Sequence, residues 1–476
     1  MSGLPNGWET CLVGDVTHIV AGGTPPSKEP SNFQEAGGIP WLTPADLSGY
    51  RGMYISRVAR NLSETGCKAS SAKTMPAGTV LFSNRAPIDY VAIPTNEIST
   101  NQGFKSFVLS DALESRFVNY QLRPIKPIAE SIATGTTFKE LSGAAAATLP
   151  ISIAPLTEQK RIAYKVDTVL ARVDACRERL DRVALVLKRF RQSVVSCATS
   201  GKLTEDWRTN RHLQKKETSS NFYDVTTAGT NNFLPSEWKI ENLEKLVKLD
   251  LGYAFKSAEF KKTGTRLLRG DNIEPGKLRW REPAFYDSTL LDNFQHLFLN
   301  AGDIVLAMDR PIVSNGLKIA RVNLSDTPCV LVQRVCRFVP CEHISAEYLY
   351  QTLSSNTFTN YLLGTQKGSQ IPHISGKQIL SFEISVPPIA EQHEIVRRVE
   401  TLFAFADRLE ARLATARTAA NRLTPALLAK AFRGELVPQD PNDEPAAILL
   451  ARLAEARDEN VRRAKRSQKS ATLPST

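Results

Sequence analysis

A 3.5-residue repeat runs unbroken through one long stretch of this chain. Between Leu156 and Ala198 the apolar positions are Ile162, Val166, Val169, Val173, Cys176, Leu180, Val183, Leu187, Phe190, Val194 and Cys197, spaced alternately by four and three residues. That spacing is the seam of a left-handed coiled coil, since an apolar stripe of period 3.5 stays facing a partner only if two helices supercoil. The stripe returns 233 residues later as Ile395, Val399, Leu402, Ala406, Leu409, Leu413, Ala416, Ala420, Leu423 and Leu427, and fails only where Lys430 answers Cys197. A chain that carries one long helix twice can pair the copies within itself.

The duplication reaches past the helices. Pro155-Leu156-Thr157-Glu158-Gln159 precedes the first copy and Pro388-Ile389-Ala390-Glu391-Gln392 the second. Each puts Pro and an acid at a helix start, where the missing amide and the helix dipole favour them. Gly201 and Gly434 follow as helix stops. Upstream, Leu4-Pro5 with Trp8 returns as Leu234-Pro235 with Trp238, Pro76–Phe82 resembles Asn300–Leu306, and Gly135-Thr136-Thr137 with Ser142 aligns with Gly368-Ser369-Gln370 and Ser375. Between these anchors the halves diverge.

The chain therefore divides into a globular domain at 1–154, a helical region at 155–204, a polar linker at 205–233, a second globular domain at 234–387, a second helical region at 388–437 and a C-terminal segment at 438–476. Short β-type runs at 79–83, 104–109, 303–307, 317–322, 330–339 and 382–386, with a helix at 346–354, make the globular domains mixed α/β. Pro425, where the first helix has Gln192, predicts a bend or restart near Arg422. A further helix is expected over 446–457. The basic run Arg462, Arg463, Lys465, Arg466 and Lys469 reads as a solvated, disordered tail.

Composition narrows the function classes. No uncharged apolar run is long enough to cross a bilayer, and no basic stretch leads into an apolar one at the N-terminus. Seven cysteines read as reduced thiols of a cytoplasmic protein, two of them on the seam. The net charge of +11 favours an anionic partner, nucleic acid first, and no membrane. Catalytic patterns are missing: no GxxxxGK[ST] loop, GxGxxG, [N/D]PP[Y/F], GxSxG or HExxH occurs. Cys329, Cys336, Cys341 and His343 match no zinc spacing, so no metal is expected. Glu158-Gln159-Lys160 resembles the end of a nuclease D…ExK motif but reads as a helix start.

The reading is recognition rather than catalysis. Loops flanking the strand anchors hold Lys28, Lys68, Asn84, Arg85 and Lys139 in the first domain, and Tyr253, Lys256, Arg269, Asn272, Arg310, Gln370 and His373 in the second. Arg or Lys suits guanine and Asn or Gln suits adenine. Each is equally an ordinary surface residue, and Asp271 and Asp309 beside Arg269 and Arg310 allow local salt bridges. The helix faces carry Lys188, Arg189, Arg191, Arg397 and Arg398, placed toward solvent or a partner.

PLTEQKRI at 155–162, LKRFRQSV at 187–194, GKLTEDWR at 201–208, EIVRRVETLFAFAD at 394–407 and LAKAFRGEL at 428–436 carry a resemblance. Over roughly residues 1–437 the chain resembles the specificity subunits of type I restriction–modification enzymes. The resemblance implies two target-recognition domains, each reading one half of a bipartite site in double-stranded DNA, and two conserved helices paired antiparallel between them. It implies two modification subunits docked on the helices to methylate adenine, and two restriction subunits. S-adenosylmethionine, ATP and Mg2+ belong to those partners, and this chain has no cofactor or catalytic site. A helix of about 42 residues is ~60 Å long, enough to set a gap between half-sites on DNA that repeats every ~34 Å. A coiled-coil scaffold with two protein-binding domains and no DNA contact is the competing class.

Overall fold

The computed structural model describes residues 4–85, 87–135, 139–215, 222–227, 230–365 and 373–471. The chain forms two compact units, Met1–Arg179 with Ala416–Thr476, and Leu180–Thr415. The division falls within both long helices, the central helix Leu156–Thr199 and the distal helix Ile389–Phe432, of 44 residues each.

In the first unit Glu9–Leu12 pairs antiparallel with Pro150–Ile153, tying the start of the domain to the strand that leads into the central helix. Thr17–Ala21 pairs with Lys105–Leu109, and Leu81–Asn84 with Ile88–Pro94. Phe82, Phe107 and Val118 are fully buried beneath them. In the second unit Lys239–Asn242 pairs with Glu383–Val386, repeating the first tie. A four-stranded antiparallel sheet runs in the order Val247–Leu251, Val335–Pro340, Ile304–Ala307, Ile319–Arg321. A smaller sheet orders Ala284–Tyr286, Thr265–Leu268 and Cys329–Leu331, the last pair parallel.

Each helix start is clamped by the Glu-Gln pair that precedes its seam. In the first unit the Trp8 indole donates to Glu158 Oε2 at 3.0 Å, and Gln159 accepts from the Glu114 amide and donates to the Ala154 carbonyl. In the second, Trp238 donates to Glu391 Oε2 at 3.0 Å, and Gln392 accepts from the Ser345 amide and donates to the Pro387 carbonyl. All four acidic and amide side chains are buried, so these residues are joints of the fold rather than only favourable helix starts. The copies differ in one respect. Glu391 Oε1 accepts from Thr204 at 2.7 Å and from the Arg208 guanidinium, whereas Glu158 Oε1 is buried without a hydrogen bond.

The helices pair antiparallel within each unit. In the first, Ile162, Val166 and Leu170 pack with Leu428 and Ala431, and Arg177 reaches Thr424 at 3.0 Å. In the second, Val194 and Ala198 share a core with Ile395 and Val399, while Arg191 lies over Phe403 and pairs with Asp407 and Glu410. Of the remaining seam positions Val173, Leu187 and Leu413 are buried, and Val169, Leu180, Phe190, Leu402 and Leu409 half-buried. Cys176, Val183 and Leu423, expected on the seam, are exposed. Straight helices turn every 3.6 residues, so a strict 3.5 pattern drifts off the contact line and burial passes to a neighbour such as Leu170.

Four other expectations are corrected. The distal helix runs unbroken through Pro425, with Arg177 donating to the Ala420 carbonyl and the Thr424 hydroxyl in the turn the ring loosens. The linker holds a helix, Glu205–Lys215, and a hairpin, Phe222–Thr227 with Thr230–Pro235. The last helix continues over the basic run to Ala471, because its Ala, Arg, Glu and Lys residues are strong helix formers. The run 330–339 is two strands, Cys329–Leu331 and Val335–Pro340, because Arg334 adopts φ +65° and turns the chain.

Candidate nucleic-acid interface

The second globular domain carries a cleft of about 580 Å³ where strand ends meet, lined by Phe255, Arg269, Asp271, Arg310, Lys318 and Arg334 among others. Its geometry starts from Gly252, which follows the strand Val247–Leu251. A Cβ there would stand 2.0 Å from the Val332 carbonyl oxygen, so only glycine lets the turn Val332–Arg334 close against the strand end. Arg334 then pairs with Asp309, whose other oxygen meets His373 Nδ1 at 2.6 Å. These contacts hold the Asp309 carboxyl below the usual range despite its burial. Arg269 donates to the Glu282 carbonyl at 2.9 Å, and Arg310, at φ +43°, projects exposed. Lys318 is only 8% exposed. Burial pulls its ammonium pKa down against the opposing field of Asp271. Tyr253, Phe255 and Phe294 form an aromatic cluster with centroids 4.7–5.2 Å apart, Tyr253 half exposed. Four cations and two carboxylates beside aromatic rings suit a nucleic-acid edge better than a neutral ligand.

The first domain has the same backbone arrangement with different chemistry. There the Leu141 amide donates to the Asn84 carbonyl and the Asn84 amide to the Gly103 carbonyl, both at 2.9 Å. In the second domain Ile374 donates to Met308 at 2.9 Å and Met308 to Arg334 at 2.8 Å. Asn84 thus corresponds to Met308, Arg85 to Asp309 and Glu140 to His373. Arg85 pairs with Glu140 at 3.2 Å where the second domain pairs Asp309 with His373, so a cation at one position of the shared scaffold gives way to a carboxylate. Gly22 repeats Gly252, with a Cβ 1.9 Å from the Asn101 carbonyl oxygen.

Of the residues expected to contact DNA, the structure brings together Arg269, Arg310 and His373 around the cleft, with Tyr253 beside it. Asn84 and Asn272 are scaffold. Asn84 is buried and donates to Glu140 and the Leu141 carbonyl, and Asn272 is buried, accepting from the Arg269 amide and donating to the Arg279 carbonyl. Lys139 donates to the Glu130 carbonyl, Lys68 faces Glu64 at 4.0 Å, Lys256 faces Glu259 at 3.9 Å, and Lys28 is exposed. Gln370 lies outside the described residues. On the helices Arg191, Arg397 and Arg398 are all held in ion pairs. Cys329 and Cys336 are core residues, and burial pushes both thiols up to about 12.

A family model for the type I restriction modification DNA specificity domain matches residues 5–184 and again residues 235–416. The chain belongs to that family. The EcoKI specificity subunit of Escherichia coli (strain K12) is 29% identical over 479 residues, covering 94% of this chain and 92% of that one. The EcoDI specificity subunit of Escherichia coli is 29% identical over 357 residues, covering 72% and 75%. Among solved structures, the HsdS subunit from Thermoanaerobacter tengcongensis superposes with a TM-score of 0.56 at 18% identity, covering 91% of this chain and 98% of that one. A chain from a study of type I restriction–modification assembly and conformational transition reaches 0.64 at 18% identity, covering 91% and 100%.

As a type I specificity subunit the chain carries two DNA recognition domains. The sequence did not single out Lys318, Gln333 and Arg334, which line the second domain's cleft, or Lys105 beside Arg85 and Glu140 in the first. Lys105 feels both Glu140 and Arg85, and burial lowers its pKa. A signal was available for Lys318, a charge inside the apolar strand run 317–322. Arg334 carried none, because its position depends on the turn that Gly252 permits.

Proposed function

We propose that this chain is the non-catalytic DNA-reading subunit of its complex, each domain reading one half of a bipartite site in double-stranded DNA. The observation that carries this reading is the exchange of Arg85–Glu140 for Asp309–His373 on one backbone arrangement. Two copies of a scaffold that keep their joints and alter their exposed charges are suited to reading two different sequences. The paired helices, shared by both units, serve as the spacer. Their outer faces serve as docks. Leu185, Val186 and Phe405 are at least half exposed on the second unit, and Tyr164 and Leu423 are exposed on the first. Apolar side chains exposed on a helix pair favour cover by protein. Two modification subunits would dock there with S-adenosylmethionine and methylate adenine. Two restriction subunits would add cleavage driven by ATP with Mg2+, all on cytoplasmic DNA.

The test is methyladenine sequencing of DNA from cells that carry this chain with its modification subunit. A split motif with a fixed gap is the expected result. Scattered or undivided methylation, or DNA binding by the assembled complex that does not weaken with salt, refutes the reading.

A further inference from the structure

Lys318 is a charged side chain of the second domain that the fold leaves without a partner among the described residues. Its residue is 8% exposed, and its ammonium makes no hydrogen bond or ion pair among the described residues. Among the described residues, every neighbouring charge but two has a visible occupation. Arg334 is tied to Asp309, Asp309 to His373, and Arg269 to the Glu282 carbonyl. The exceptions are Arg310 and Asp271, both exposed at the cleft and close enough to act on the lysine's charge, and of the two Asp271 carries the sign that complements it. A lysine with a buried stem whose ammonium opens into a cleft without a partner is placed to meet a ligand that supplies acceptors.

We propose that Lys318 and Asp271 together read one base pair in the half-site recognised by the second domain. In the major groove guanine offers the acceptors N7 and O6, and its paired cytosine offers the N4 amino donor beside them. A lysine and an aspartate side by side match that order: the ammonium donates to guanine and the carboxylate accepts from cytosine. Phosphate is the poorer ligand here. Asp271 and Asp309 both line the cleft and repel an anion, and the apolar walls Phe255, Phe260 and Val332 suit a flat base edge. An A·T pair sets the O4 acceptor of thymine beside the N6 amino donor of adenine, so it offers the same two partners in the other strand sense.

The inference rests on the bipartite reading above, and its test separates the two. The full chain is assembled with its modification subunit, and methyladenine sequencing is run for the wild type, Lys318→Met and Asp271→Asn. The wild-type motif must contain at least one strictly specified base pair in the second-domain half. In each variant the strictness at that one pair should fall about ten-fold, with the other half-site and the gap unchanged. Lys318→Met removes a buried charge and keeps the length of the chain, so the fold should be retained. Asp271 is exposed and its variant gives a second, independent reading. Unaltered strictness in both variants overturns the inference while leaving the bipartite reading intact. So does a uniform weakening at all sites, which marks a phosphate contact. A wild type with no split motif fails the earlier reading instead.

Discussion

Replacing Arg208 by alanine should cost the second unit far more than its single ion pair would suggest. Glu391 is fully buried, and its Oε1 is served by Arg208 and by Thr204 at 2.7 Å, its Oε2 by Trp238 at 3.0 Å. Arg208 also donates to the Gly201 carbonyl at 2.6 Å, which closes the end of the central helix. Alanine removes both donations and leaves a carboxylate in the core without a counter-charge. Losing one member of a buried pair costs roughly 3–5 kcal/mol. For a unit of this size 1 kcal/mol moves the midpoint by ~2–4 °C, so a fall of about 10 °C is expected. Differential scanning calorimetry of the full chain reads it directly, because the two units should give separable transitions. A shift of less than ~2 °C, or an equal shift in the first unit's transition, would refute the argument that the joint is held by this charge.

Glu158→Gln is the matching change in the first unit and should be harmless or stabilising, since the amide oxygen still accepts from Trp8. Burial raises the Glu158 pKa, opposed by the Trp8 bond and Arg161. The folded first unit therefore holds its proton more tightly, and loses stability as pH rises from below 4.5 through the raised value. Melting the wild type and the Gln variant across that window should show the slope only in the wild type. Glu394 has the opposite sign: Arg397 and Arg398 hold its carboxyl at about 2. Its contribution is present above 4.5 and is lost as pH falls toward 2, and Glu394→Gln should remove that part of the acid transition of the second unit. Gly252→Ala would set a Cβ 2.0 Å from a backbone carbonyl, and should weaken DNA binding by the assembled complex even where the helices still pair. Exchanging residues 1–154 for the matching domain of another specificity subunit should alter one half-site in the methylome and spare the other. A change in both halves would count against separate readers.

Much of the architecture was written locally. The duplicated stripe of Ile162 to Leu187 and Ile395 to Leu413, with Gly201 and Gly434 as stops, names two long helices because amphipathic periodicity and helix stops are short-range signals. The strand cores at Phe82 and Ile304 were equally legible from apolar runs. The joints were half legible. Trp8, Glu158, Trp238 and Glu391 were visible as repeats, but that each indole meets its carboxylate depends on closure of a whole domain. Likewise Glu391 has an arginine and Glu158 has none, because Arg208 arrives on a helix that the polar composition of 205–233 concealed.

From the sequence alone came a family, two diverged globular domains and a pair of helices, since each is a matter of pattern along the chain. Which of the candidate residues line the cleft was decided only in three dimensions. Asn84 and Asn272, polar and loop-flanking in sequence, spend their amides inside the fold, while Lys318, set in an apolar run, opens into the cleft. The physical reason is that a side chain's availability depends on what the fold has already paired it with. That pairing joins residues as distant as Asp309 and His373, beyond the reach of any local rule.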